Sequence, residues 1–137
     1  MREILFRGKG FYSEEWVEGY LAIGRRETDN AKEHAIIPVD VIFWEYGVSD
    51  LIQVIPETIC QYTGMTDRNG NRIWENDVLK DRRFKYKVVW DEEEGALMCE
   101  SISGARYGIG KINCMNFEVI GNIFDNPELL ERNRYDD

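Results

Sequence analysis

Alternation with a period of two is the feature that most constrains this chain. In the segment Phe84-Lys-Tyr-Lys-Val-Val-Trp90, Phe84, Tyr86, Val88 and Trp90 share one side, and Lys85, Lys87 and Val89 share the other. Successive side chains of a β-strand point to opposite faces, so this segment reads as a strand with a core face and a largely wet face. The same pattern sorts Trp16, Glu18, Tyr20 and Ala22 from Val17, Gly19, Leu21 and Ile23, and it places Ile4 and Phe6 together. Helical periodicity is nearly absent, which predicts a mainly β, antiparallel protein.

The punctuation agrees with that prediction. Gly10-Phe-Tyr-Ser-Glu14 is expected to join the first two strands as a hairpin, and Gly24 to Asn30 is a polar, turn-prone stretch. Short apolar runs follow at 35–37, 39–44 and 51–55, bounded by Pro38, Gly47 and Pro56, with 39–44 apolar enough to face protein on both sides. Asn69-Gly70 predicts a type I′ hairpin turn with both residues at positive φ, and Glu75-Asn76-Asp77 predicts a second bend. Tight turns between short strands are the texture of a small barrel, so an SH3-like barrel is expected over 56–137, preceded by an N-terminal β-hairpin region over 1–55. Asn126-Pro127-Glu128 carries the cap, first-turn proline and early acid of a short C-terminal helix.

Several function classes recede on composition. The 137 residues carry 17 basic and 26 acidic side chains, a net charge of −9 that opposes non-specific attraction to a polyanion. Cys60, Cys99 and Cys114 are an odd number without C-x-x-C spacing, and His34 is the single imidazole, so neither a disulfide framework nor a zinc site is indicated. The thiols read as small apolar groups. No apolar run reaches the length of a membrane span and the first residues lack a secretory pattern, so a cytoplasmic, membrane-independent protein is expected.

Asp67, Asn69 and Asn71 alternate like the first ligands of a calcium loop, but Gly70 takes the fourth place instead of the sixth and Val78 stands where a bidentate Glu is required. Turn formation accounts for the same residues. Gly104 to Lys111 has phosphate-loop glycines without the G-K-[ST] ending, and no nucleophile motif accompanies any Ser or Cys. No catalytic, cofactor or metal residue is therefore assigned, and the chain is expected not to be an enzyme.

Two binding surfaces remain. Lys80, Arg82, Arg83, Lys85 and Lys87 place five cations within eight positions with Phe84 and Tyr86 among them, a pattern that could follow a phosphate backbone while a ring stacks on a base. The plainer account is a strand whose aromatics enter the core beside Val88 while its lysines guard the surface. Phe43 and Trp44 lie in the densest apolar run and are candidates for self-association, since a small chain has little core in which to hide both faces of such a run.

Phe6-Arg7-Gly8-Lys9, Trp16-Val17-Glu18-Gly19-Tyr20, Pro56-Glu57-Thr58 running into Gln61-Tyr62-Thr63-Gly64, Ile73 to Val78, and Glu118 to Ile123 followed by Asp125-Asn-Pro-Glu-Leu-Leu130 together resemble the YopX proteins of bacteriophages and prophages. The resemblance implies a β-rich, phage-encoded protein of the bacterial cytoplasm, in a family without an established activity. It supplies no catalytic residue. Cys60 and Asn76 stand where that pattern leads one to expect glycine. The expected function is thus that of a phage accessory protein acting by protein binding, whether as a homo-oligomer or on a phage or host protein. The alternative is a nucleic-acid-binding module built on residues 80–87.

Overall fold

The computed structural model describes residues 3–39, 51–109 and 116–131 in full, and 43–44 and 47–48 by their backbone. Its contacts divide the chain into two compact units, Met1–Gln61 and Tyr62–Asp137.

The first unit is built from strands β1 (Phe6–Lys9), β2 (Trp16–Arg25), β3 (Lys32–Pro38), β4 (Phe43–Trp44), β5 (Gly47–Val48) and β6 (Ile52–Gln53), with the first residues of β7 (Cys60–Thr66). Hydrogen bonding orders them β6-β3-β2-β1-β7, every pair antiparallel, while β4 and β5 pair only with each other. The predicted first hairpin is present, with Lys9 opposite Trp16 and the Gly10 N–H donating to the Glu15 carbonyl at 2.8 Å. Tyr20 meets Ile37 and Leu21 meets Ile36 across the next ladder, which keeps the alternation legible in sequence. Gly19 is required there, because a Cβ would run into the Ile37 carbonyl oxygen. Leu5, Ile36, Val54 and Cys60 are buried here, the thiol of Cys60 donating to the Thr58 carbonyl at 3.2 Å.

In the second unit the remainder of β7 pairs with β8 (Arg72–Trp74) across an irregular register in which Gly64 adopts φ +86°. An antiparallel sheet follows in the order β12 (Arg106–Gly108), β11 (Ala96–Ser101), β10 (Lys85–Asp91), β9 (Asp77–Lys80), β13 (Glu118–Asn122). Ile73, Leu79, Val88, Cys99 and Phe117 form its core, with Tyr86 and Val119 packed against them. Cys60 and Cys99 both pack as buried apolar groups; Cys114, like Gly110 and Lys111, lies outside the described residues.

Four sequence expectations need correction. The described strands do not close into a barrel: closure requires the terminal strands to hydrogen-bond, whereas β12 bonds only β11 and β13 only β9. The C-terminal helix is one 3-10 turn, Pro127–Leu130, and among the described residues there is no α-helix. Asn126 does not cap it, since its side-chain oxygen accepts the Asn122 N–H at 3.3 Å instead.

The 67–71 turn is also not type I′. Only Gly70 has positive φ, at +82°, and Asn69 does not share it. The Gly70 N–H bonds the Asp67 carbonyl at 3.1 Å, and the Asp67 N–H bonds the Asn71 carbonyl at 2.8 Å. That is a three-residue loop closed by a glycine bulge. Lastly, Trp90 is 47% exposed while Val89 is buried. Alternation decides which face a side chain takes, but not how deeply it is covered: Leu97, opposite Trp90 across the ladder, packs against the core cluster while Trp90 itself stays half exposed.

Candidate functional site

The turn from Asp67 to Asn71 is held from inside by one carboxylate. Asp67 Oδ1 accepts the N–H groups of Asn69 and Asn71, each at 2.9 Å, and Oδ2 accepts that of Val119 at 2.9 Å. Burial pushes this carboxyl up, but the N–H groups of Val119, Asn71 and Asn69 together outweigh burial and hold it below the usual carboxylate range. Both carboxylate oxygens of Asp67, the first position of the calcium-like pattern, are therefore occupied by backbone N–H groups, and Asp67 fastens the turn to the start of β13. Among the described residues no group of three His, Cys, Asp or Glu side chains could hold a metal ion.

Fastening that turn positions its second residue. The Arg68 N–H donates to the Phe117 carbonyl at 3.0 Å, and its guanidinium reaches Glu118 of β13, Nη2 to Oε2 being 2.8 Å. A second carboxylate organises the turn between β9 and β10 in the same way. Asp81 Oδ1 accepts the N–H groups of Arg83 at 2.8 Å and Phe84 at 2.6 Å, and the Asp81 N–H closes the turn on the Phe84 carbonyl at 3.0 Å. This folds Arg82 and Arg83 outward at the tip. Arg68, Asp81, Arg82, Arg83 and Asn116 line one cleft of about 550 Å³.

The five cations singled out in the sequence thus separate. Arg82 and Arg83 stand on the cleft, exposed and without an ion-pair partner among the described residues. Lys80 ends β9, exposed. Lys85 turns its ammonium toward the Leu129 carbonyl at 3.4 Å, and Lys87 faces Val78 on one side and Glu100 on the other. Tyr86 sits edge-on to Phe117 at 5.3 Å and belongs to the core margin, while Phe84 is half-buried and edge-on to Tyr86 at 6.4 Å. Phe43 and Trp44 form β4, and their side chains lie outside the described residues. Sequence inspection missed Arg68 and Asn116. Nothing local marks either, because the cleft joins residues far apart along the chain.

The profile of the family described as "YopX protein" matches residues 5–131. The chain belongs to the YopX family. A comparison with curated proteins finds no match. Among solved structures, this YopX chain is similar to the crystal structure of protein EF1440 from Enterococcus faecalis, at 24% identity and a TM-score of 0.60 over 96% of this chain and 100% of that one. The likeness concerns the fold. No helix among the described residues of the YopX chain is long and apolar enough to cross a membrane.

Proposed function

We propose that this YopX protein is a phage accessory protein that works by binding another protein rather than by catalysis, and that its arginine cleft receives an acidic segment of the partner. One observation carries the reading: Arg82 and Arg83, unpaired among the described residues, meet Arg68 on a single cleft of about 550 Å³. Guanidinium groups match carboxylates in a two-pronged geometry, and charge-assisted hydrogen bonds are roughly twice as strong as neutral ones. Around the cleft, three guanidiniums face the carboxylates of Asp81 and Glu118, which leaves one net positive charge on a chain of net −9. So local a charge suits a short acidic segment better than an extended polyanion, which the rest of the surface repels. The packing of Tyr86 against Phe117 leaves Phe84 as the one ring of that segment outside the core cluster, which supports the protein-binding reading over base stacking.

Fluorescence anisotropy with a labelled hexaglutamate peptide and with a labelled oligothymidylate tests the proposal at physiological salt. Peptide binding is expected, weakened about tenfold or more by Arg82→Glu with Arg83→Glu. No oligonucleotide binding is expected. Salt-sensitive micromolar binding of the oligonucleotide, lost in the same double variant, would establish the nucleic-acid reading instead; failure of the peptide to bind would refute the assignment of the cleft.

A further inference from the structure

Glu118 stands between two cations of different roles. Its carboxylate is paired with Arg68 on the cleft at 2.8 Å, and the two side chains are 50% and 40% exposed, Arg68 first. A pair so open to water is weak. A second carboxylate arriving in the cleft can therefore displace it.

The strand register supplies a place for the displaced group. Glu118 of β13 lies directly opposite Lys80 of β9, so the two side chains project from the same face with Cβ atoms about 5 Å apart. Lys80 is exposed and has no ion-pair partner among the described residues. On its other side its register partner in β10 is Lys85, a second cation, so Glu118 is the acidic neighbour that the ladder sets beside Lys80.

We propose that Glu118 is an internal competitor for the arginine cleft. When an acidic segment binds, its carboxylate takes Arg68 and the Glu118 carboxylate moves across the ladder to Lys80. No negative charge is stranded in the exchange: Glu118 passes from one cation to another, and Arg68 keeps a carboxylate partner throughout. This rests on the reading that the cleft binds an acidic segment, and adds a residue outside the cleft, Lys80, that raises its affinity, and a residue at its rim, Glu118, that limits it.

The test uses the labelled hexaglutamate peptide and the full chain. Glu118→Gln should tighten binding about two- to fivefold, the factor that corresponds to losing an exposed ion pair. In the Arg68→Gln background the gain should vanish, because there is no longer a guanidinium to release. Lys80→Gln should weaken binding in the wild-type background and have no effect beside Glu118→Gln. A gain of equal size with and without Arg68 would mean that Glu118 acts only by long-range repulsion, and would overturn the proposal. An effect of Lys80→Gln that is the same in both backgrounds would overturn it equally. Peptide binding that depends on Arg82 and Arg83 but ignores Glu118 sinks the competitor and leaves the cleft assignment standing, whereas no binding by any variant sinks both.

Discussion

Replacing Asp67 by Asn tests whether one buried carboxylate holds the cleft together. Asp67 is 4% exposed and receives N–H groups from Asn69, Asn71 and Val119. An asparagine keeps a single acceptor oxygen. If that oxygen stays on the two turn donors, the new NH2 faces the Val119 N–H, so a bond to a charged group is lost and two donors are opposed. Hydrogen bonds to charged groups contribute about 1.5–3 kcal/mol, and a buried donor left unsatisfied costs about 1–3 kcal/mol. Allowing for partial relaxation, a loss of about 2–3 kcal/mol at pH 7 is expected by urea unfolding.

The pH dependence gives an independent sign. The folded-state pKa of Asp67 lies below its ordinary value of 3.8, so its contribution is fully present above that value and disappears as pH falls through the lower, folded-state one. The gap between wild type and Asp67→Asn should therefore be constant from pH 7 to about pH 5 and narrow steadily in more acid solution. A variant within about 0.5 kcal/mol of wild type at pH 7, or a gap that does not narrow in acid, would refute the account of Asp67 as an ionised staple.

Gly70→Val should destabilise the second unit by about 1–2 kcal/mol, because the backbone there has φ +82° and a branched residue resists that region. A Cβ at Gly70 would meet nothing within 4 Å, so the strain is one of backbone conformation rather than of a clash, and an unchanged melting temperature would contradict the turn assignment. Self-association through the apolar run containing Phe43 and Trp44 is expected to appear in sedimentation equilibrium at micromolar concentration and to weaken in Trp44→Glu; a single 16.1 kDa species would refute it.

Much of the secondary structure was legible because strand alternation is a local signal. β2 pairs over the whole length read as a strand, Val88 of β10 lies in the core on the face read for it although Val89 on the other face is buried as well, and Asn76, which stands where glycine was expected, takes φ +71° as a bend residue should. Expectations failed where a side chain had a competing partner that local pattern does not reveal. Asn126 has the identity of a helix cap, but its oxygen is taken by Asn122, and Asn69-Gly70 has the identity of a type I′ turn, but Asp67 draws the backbone into a bulged loop instead.

The amino-acid sequence by itself determined that this is an acidic, antiparallel β protein of the YopX family with a cation-rich segment at residues 80–87. Periodicity, charge and turn chemistry are properties of neighbours along the chain, and a short window contains them. Only the tertiary structure decided which of those cations share a cleft. Arg68 reaches Glu118 across 50 positions, and the Asp67 carboxylate reaches Val119 across 52. Such contacts depend on the register of β13 against β9 and on two turns each organised by a buried or half-buried aspartate. That register also sets Glu118 opposite Lys80, and the Asp81 turn separates Arg82 and Arg83 from the lysines beside them in sequence. Strand order and register are cooperative outcomes of burying Leu79, Val88 and Phe117 in one core, so no single segment could have announced the cleft.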